Sequence, residues 1–247
     1  MVFPIGDDNT GRLRTPYVTY LLIAMNVLVF VLFQGMGNNE RFTYSFSTVP
    51  QEIRTGEDVA RPVRVEIGDQ SAVIPLQETP GSVYLTLLVS MFMHGSLMHL
   101  LGNMLFLWIF GDNIEDDLGH GRYTAFYLAT GVLASIAHVV STFVFGDNPF
   151  IPSLGASGAI SAVMGAYLVM HPHRRVRVLL LRMITQVPGY VAVGLWFILQ
   201  LISAYGVLGQ GPQSGGGVAF MAHIGGFIAG AVLVRIFAIG SRPPARR

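Results

Sequence analysis

Long apolar stretches, separated by short polar segments, run through most of the chain. Six of them contain no Asp, Glu, Lys or Arg and come close to the roughly 20 apolar residues that a bilayer-spanning helix needs. These segments are Tyr17–Phe33, Val83–Gly111, Tyr123–Gly146, Pro149–Met170, Val187–Leu208 and Val218–Val234. The second segment is too long for one helix, so its first residues are expected to form a loop before the span. The pattern predicts an all-α, polytopic membrane protein with six transmembrane helices.

Composition agrees with a membrane protein. The 247 residues are 52% hydrophobic and 12% charged, whereas a soluble domain carries about 25% charged residues. Cysteine is absent, which excludes disulfides and thiolate chemistry. The net charge of +1 gives no reason to expect a nucleic-acid partner.

The arginines predict how the chain is oriented. All fifteen basic residues are Arg, and six spans would place eleven of them on the side that holds both termini. Because positive charge favours the cytoplasmic side, both termini are expected there, including an Arg-rich tail at 236–247. The loop 34–82 would face outward, and the alternation of Val63, Val65 and Ile67 suggests a small hairpin within it. Together with the lack of a recognisable transit peptide, this predicts one membrane domain in a bacterial plasma membrane.

Four polar residues inside the apolar segments stand out. His99 and Asn103 are spaced i, i+4 in the second segment, Ser157 lies in the fourth and His223 in the sixth. Lipid gives such side chains no water to bond with, so they are usually buried against protein and functional. In the predicted topology all four lie about 10 Å below the outer surface. This shared depth predicts a single site.

Small residues at four-residue spacing predict that two of these helices pack closely. They are Ser157, Ser161 and Gly165, with Gly158, Ala162 and Ala166, on the fourth segment, and Ala222, Gly226 and Gly230 on the sixth. Such packing would bring the hydroxyl of Ser157 within reach of the imidazole of His223.

These residue types are those that hydrolyse an acyl bond. Ser157 is the candidate nucleophile and His223 the candidate general base. His99, Asn103 and the backbone N–H of Ser157 are candidate donors to the developing oxyanion. No Asp or Glu lies in an apolar segment, and Asp147 in a nearby loop is only a marginal third member, so a Ser–His dyad is predicted. The chemistry requires no cofactor and no metal.

Other interpretations of the same residues remain open. Ser157 can be a packing serine bonded to its own backbone. His94, His99 and His223 can be metal ligands, or part of an ion path in a small transporter. His94 itself is interpreted as a histidine at the rim of the helix mouth.

Three motifs resemble those of the rhomboid family of intramembrane serine proteases. The chain has H-x4-H-x3-N at His94–Asn103, G-x-S-G at Gly155–Gly158 and A-H-x-G-G at Ala222–Gly226, in the family's order. The resemblance implies a rhomboid-like bundle in which Ser157 and His223 are catalytic and His99 and Asn103 stabilise the oxyanion. It also implies that Glu115 and Arg122, which follow the second span, are structural rather than catalytic.

The resemblance further implies what the protein acts on. Substrates would be transmembrane-helix proteins that enter sideways from the lipid, between the second and fifth helices, and are cleaved near the outer face. Trp196, Phe197 and Gln200 are then candidate gate residues, or equally lipid-facing packing. Some family members carry an aromatic residue where this chain has Ser161, which leaves the orientation of His223 unexplained. A catalytically inactive rhomboid-like binder of membrane helices remains an alternative, and the oligomeric state is not predicted.

Overall fold

The structure is a computed structural model that describes residues 2–67, 70–180, 183–209 and 220–240. Most of these residues are helical. The helices are α1 (Tyr17–Leu28), α2 (Glu40–Phe46), α3 (Pro50–Thr55), α4 (Thr86–Val89), α5 (Leu97–Leu118), α6 (His120–Phe145), α7 (Ser157–Met170), α8 (Gly189–Gly209) and α9 (Phe220–Phe237). The strands are β1 (Val2–Asp7), β2 (Pro62–Ile67), β3 (Gln70–Pro75), β4 (Arg175–Leu180) and β5 (Met183–Pro188).

Each predicted apolar segment contains one main helix, but the count of six spans is not confirmed. Four helices of the described part are long and apolar enough to cross a membrane, namely α5, α6, α8 and α9. Two other apolar helices are shorter: α1 with its following π-turn, Tyr17–Phe33, and α7, with 14 residues. Most of the predicted tail lies outside the described residues, since α9 ends at Phe237 and the description at Gly240.

The short helix α7 lies at the centre of the bundle. It packs against α5, α6, α8 and α9, and its residues from Gly158 to Tyr167 are all buried. A helix surrounded by other helices does not have to match the bilayer thickness with its own length. Its position places the first residue, Ser157, inside the protein and away from lipid.

The contact between α7 and α9 is as close as the small residues predicted. A Cβ added to Gly226 would collide with the carbonyl oxygen of Gly158, and one added to Gly230 would collide with that of Ala162. The two backbones therefore touch directly, with no side chain between them. This contact fixes the height of α9 relative to α7.

The strands correct the prediction of a purely helical fold. β1, β4 and β5 form an antiparallel sheet in the order β1-β4-β5, which lies against α5 and α8. In β4, Val176 and Val178 are buried while Arg175 and Arg177 are exposed. This alternation is typical of a half-buried strand. In the sequence, the same arginines are also typical of a charged loop between two membrane spans.

The loop 34–82 is folded, and it contains the predicted hairpin. Strands β2 and β3 pair in antiparallel register, with Val65 opposite Ala72. Val49, Val65, Ile74 and Leu76 form a small separate core beneath the hairpin. Thr48 exchanges two backbone hydrogen bonds with Ser153, of 2.9 and 2.8 Å, so the loop is attached to the segment that precedes Ser157.

The acids at the C-terminal end of α5 are structural. Glu115 is fully buried and accepts hydrogen bonds from the backbone N–H groups of Val18 and Thr19 at 2.8 and 2.7 Å. These N–H groups lie in the first turn of α1, where no helical partner exists for them. Glu115 therefore caps α1, in agreement with the structural role that the resemblance implied.

Asp7 connects the sheet to the helices. Its Oδ2 accepts hydrogen bonds from Asn113 Nδ2 of α5 at 2.7 Å and from the Tyr167 hydroxyl of α7 at 3.1 Å. Arg174, just before β4, donates to Asn113 Oδ1. Burial of the carboxyl, reinforced by nearby Asp112, raises the pKa of Asp7 from 3.8 to about 7.

The α7–α9 contact predicts a position-specific effect of a methyl group. Gly230→Ala should lower the free energy of unfolding by about 1–3 kcal/mol, because the added Cβ has to displace the backbone of Ala162. Gly194→Ala in α8 is the matched control, since nothing lies within 4 Å of its Cβ position. Thermal unfolding in detergent compares the two. Equal melting temperatures for both variants would contradict a direct backbone contact.

The raised pKa of Asp7 predicts a pH-dependent contribution to stability. The unfolded chain releases this proton near pH 4, whereas the folded protein holds it to about pH 7. Folding therefore retains a proton in this range, and the Asp7 contribution to stability falls as pH rises from about 4 to 7. Asp7→Asn should remove that part of the slope. The expected result is a wild-type-minus-variant stability difference that declines across this range; a difference that rises with pH would refute it.

Candidate functional site

The structure brings Ser157 and His223 together. The Oγ of Ser157 lies 2.7 Å from the Nε2 of His223, a hydrogen-bonding distance. The two residues are 66 positions apart in the chain, and both are only half-buried. Their approach follows directly from the glycine contact between α7 and α9 described above.

Ser157 is placed by the start of a helix. It is the first residue of α7, where backbone N–H groups have no partner within the helix. Its N–H and its hydroxyl therefore lie together at the N-terminal end of this helix. A negative charge that develops beside the hydroxyl would be stabilised there.

Gly155 provides the space in front of this helix end. Its φ of +131° disfavours any side chain. A Cβ at this position would lie 2.9 Å from the His99 ring and 3.6 Å from the Ser157 hydroxyl. The first glycine of the G-x-S-G motif thus leaves a gap between the serine and His99.

His99 and Asn103 lie one turn apart on α5 and both face the same cavity as Ser157. Asn103 Nδ2 is 2.9 Å from His94 Nε2. An amide nitrogen carries two hydrogens, so Asn103 keeps one donor that the contact with His94 does not use. The structure thus places both predicted oxyanion donors at the cavity wall.

His94 is not a rim residue, and the prediction of a rim position was wrong. Its exposure is 0%, and its ring packs edge-on against His99 with centroids 5.1 Å apart. Gln34 holds its backbone at both ends: the His94 N–H donates to Gln34 Oε1 at 2.9 Å, and Gln34 Nε2 donates to the His94 carbonyl at 3.0 Å. His94 therefore contacts both Asn103 and His99 from the buried side, away from the cavity, and holds them in position.

A cavity of about 570 Å³ surrounds these side chains. Its walls come from α5, α7, α8 and α9, and they are mostly apolar, with Met98, Phe106 and Trp196 among them. Helices α5 and α8 pack against other elements of the bundle rather than closely against each other. The cavity lies between them.

The candidate gate residues contact α9. Phe197 stacks on Phe227 with centroids 4.1 Å apart, and Trp196 lies 6.1 Å from the ring of His223. Ser161, where some relatives carry an aromatic residue, donates instead to the carbonyl of Ser157 at 2.6 Å. Trp196 of α8 therefore supplies an aromatic neighbour for His223 that α7 does not.

Sequence reasoning missed two groups near His223. Gln200 was named as a candidate gate residue, and its Oε1 lies 2.8 Å from His223 Nδ1. Asp147, the marginal candidate for a third member beside the dyad, lies in the loop after α6. His138 of α6 lines a small space behind Ser157 and was not singled out. Both are polar residues inside apolar segments, which is the same signal that identified the other four. Within the described ranges, no three His, Cys, Asp or Glu side chains are placed to hold a metal ion.

Comparison with known proteins identifies the family. The profile of the rhomboid domain matches residues 81–239, a range that includes all three motifs and every cavity residue named above. The chain belongs to the rhomboid family. It is accordingly an integral, multi-pass membrane protein.

Similar proteins come from bacteria and from mitochondria. Human presenilin-associated rhomboid-like protein, mitochondrial, is 38% identical over 103 residues, which are 42% of this chain and 27% of that protein. Rhomboid protease GluP of Bacillus subtilis is 33% identical over 156 residues, 62% of this chain and 24% of GluP. Rhomboid protein 1, mitochondrial, of Saccharomyces cerevisiae is 29% identical over 146 residues, 59% of this chain and 40% of the yeast protein.

The chain thus spans less than half the length of each of these relatives. Two of the three are mitochondrial, so the comparisons do not support the bacterial plasma membrane that the arginine pattern predicted.

The two hydrogen bonds between Gln34 and His94 predict a stabilising role for a distant loop residue. Gln34→Leu would leave the buried N–H and C=O of His94 unpaired, at about 1–3 kcal/mol for each group. Gln77→Leu is the control, because among the residues that the structure describes its side chain bonds the carbonyl of Pro75, two residues away, and no distant group. Thermal unfolding in detergent should show a much larger loss for Gln34→Leu. Similar losses of stability for the two variants would mean that the hydrogen bonds between Gln34 and His94 do not stabilise the protein.

Proposed function

We propose that this protein is an intramembrane serine endopeptidase that cleaves transmembrane substrate proteins with a Ser157–His223 dyad. The observation that carries the proposal is the 2.7 Å contact between Ser157 Oγ and His223 Nε2 beside a cavity within a membrane bundle. A serine alcohol is a weak nucleophile until a base within hydrogen-bond reach removes its proton. The relative GluP is named a rhomboid protease, which supports the same reaction class.

The first half of the reaction acylates the enzyme. His223 Nε2 takes the proton from Ser157 Oγ while that oxygen attacks the peptide carbonyl carbon. The carbonyl oxygen becomes an oxyanion, and we assign its stabilisation to the N–H of Ser157, the second N–H of Asn103 and His99. The C–N bond then breaks as His223 returns the proton to the leaving amine, so that an ester to Ser157 remains.

The second half releases the enzyme. A water molecule gives a proton to His223 and attacks the ester carbonyl, and the proton returns to Ser157 as the acid product leaves. Water and peptide must therefore meet inside the bundle. The cavity between α5 and α8 provides that room, and it supports the proposal that substrate helices enter between these two helices.

The site belongs near the outer face of the membrane in the orientation that the arginines favour. His99, Ser157 and His223 each lie in the first turn or two of α5, α7 and α9, so all three helices present the same end to the cavity. The loop 34–82 is attached to the same end through the hydrogen bonds between Thr48 and Ser153. Both termini, the sheet and the acids of α5 are then cytoplasmic.

The experiment is cleavage of a model single-span substrate by the protein in liposomes. Ser157→Ala should abolish cleavage, since losing a nucleophile typically costs a factor of about 10⁶ in rate. Ser141→Ala, which removes a buried hydroxyl from α6, should cleave at the wild-type rate. An inactive binder of helices or a transporter would show no cleavage by the wild type. Cleavage that survives in Ser157→Ala would overturn the nucleophile assignment.

A further inference from the structure

The second ring nitrogen of His223 also has a partner, and that partner comes from α8. Gln200 Oε1 lies 2.8 Å from His223 Nδ1. We infer that Gln200 is a positioning residue, and that the site operates as Ser157–His223–Gln200 rather than as a dyad alone. This inference rests on the proposed protease function and adds a group to the same site.

The contact determines which nitrogen carries the proton. A neutral imidazole has one N–H and one lone pair. The carbonyl oxygen of Gln200 can only accept, so the Nδ1 of His223 must be the N–H. Nε2 is then left with the lone pair, and it faces the Ser157 hydroxyl at 2.7 Å. Gln200 thus selects the tautomer that a general base requires.

Helix α8 also restricts the tilt of the imidazole. Trp196 lies one turn before Gln200 on the same helix, with its ring 6.1 Å from that of His223. The residue one turn after the serine, Ser161, bonds to its own helix backbone instead of reaching the histidine. Helix α8 therefore contributes one hydrogen bond and one aromatic neighbour to the orientation of His223, and Phe220 of α9 adds a second aromatic ring 6.4 Å away.

A neutral acceptor suits this location better than a carboxylate does. An ionised side chain inside a bundle in lipid is costly unless it is paired. The titratable groups that act on His223 are His99 from α5 and His138 from α6, and neither is an acid. Gln200 supplies the geometric part of what a triad aspartate does, without its charge.

Gln200 also lines the cavity, so a gating role has to be separated from a positioning role. A gate residue controls the entry of a bulky helix but leaves the intrinsic reactivity of Ser157 unchanged. A positioning residue changes that reactivity toward any acylating reagent. A small soluble fluorophosphonate probe therefore distinguishes the two roles.

The experiment measures the rate at which this probe labels the protein in detergent, as a function of pH. Gln200→Met keeps the size and removes the acceptor, and it should slow labelling by about 10- to 100-fold. Gln200→Glu keeps an acceptor and adds charge. It should move the acid limb of the pH profile upward by about one to three units, because an imidazolium beside a carboxylate gives up its proton less readily. Ile202→Ala, at an exposed position of α8, should change neither rate nor profile.

Each outcome decides something. Wild-type rates and profiles in both Gln200 variants would overturn the inference, and slower substrate cleavage with unchanged probe labelling would assign Gln200 to the gate. If Gln200→Met elutes as aggregate, the pH profile of Gln200→Glu decides alone. If the probe does not label the wild-type protein, or labels Ser157→Ala just as fast, the protease proposal itself is refuted rather than the role of Gln200.

Discussion

The direct backbone contact between α7 and α9 is the constraint on which the site depends. Helices in lipid gain little from the hydrophobic effect when they associate, so they rely on close packing. At Gly226 and Gly230 no side chain keeps the two backbones apart. The histidine of α9 is therefore held at the height of the serine that begins α7, and a chemical distance of 2.7 Å results from a packing geometry.

Polar side chains from other elements hold the site residues in place, because lipid offers them no hydrogen-bond partners. Gln34 holds the backbone of His94, His94 holds the amide of Asn103, and Gln200 holds the second nitrogen of His223. The second link leaves Asn103 with an N–H that His94 does not use, and the third leaves the lone pair of His223 on Nε2, which faces Ser157. At the other end of α5, buried Glu115 and Asp7 attach α1 and the sheet to the helices, which keeps the bundle fixed around the cavity.

The sequence alone was enough to locate the helices and the four polar residues, because charge-free segments and intramembrane histidines are strong local signals. The small-residue spacing even predicted the α7–α9 contact. The sheet was not predicted because β1 is far from β4 along the chain, and because β4 and β5 lie in a short arginine-rich segment between two apolar stretches. The contact of Gln200 with His223 was not predicted, because a single polar residue does not reveal which way its helix faces. The burial of His94 was missed because its partners, Gln34 and Asn103, lie in other parts of the chain.

The central claim is that the hydroxyl of Ser157 is the nucleophile that His223 activates. Peptide mapping by mass spectrometry, after reaction of the wild-type protein with a mechanism-based isocoumarin, tests it most directly. The acyl group is expected on Ser157, and a second covalent attachment, where it forms, is expected on His223. An adduct on any other serine, or one that forms equally well in His223→Ala, would contradict it.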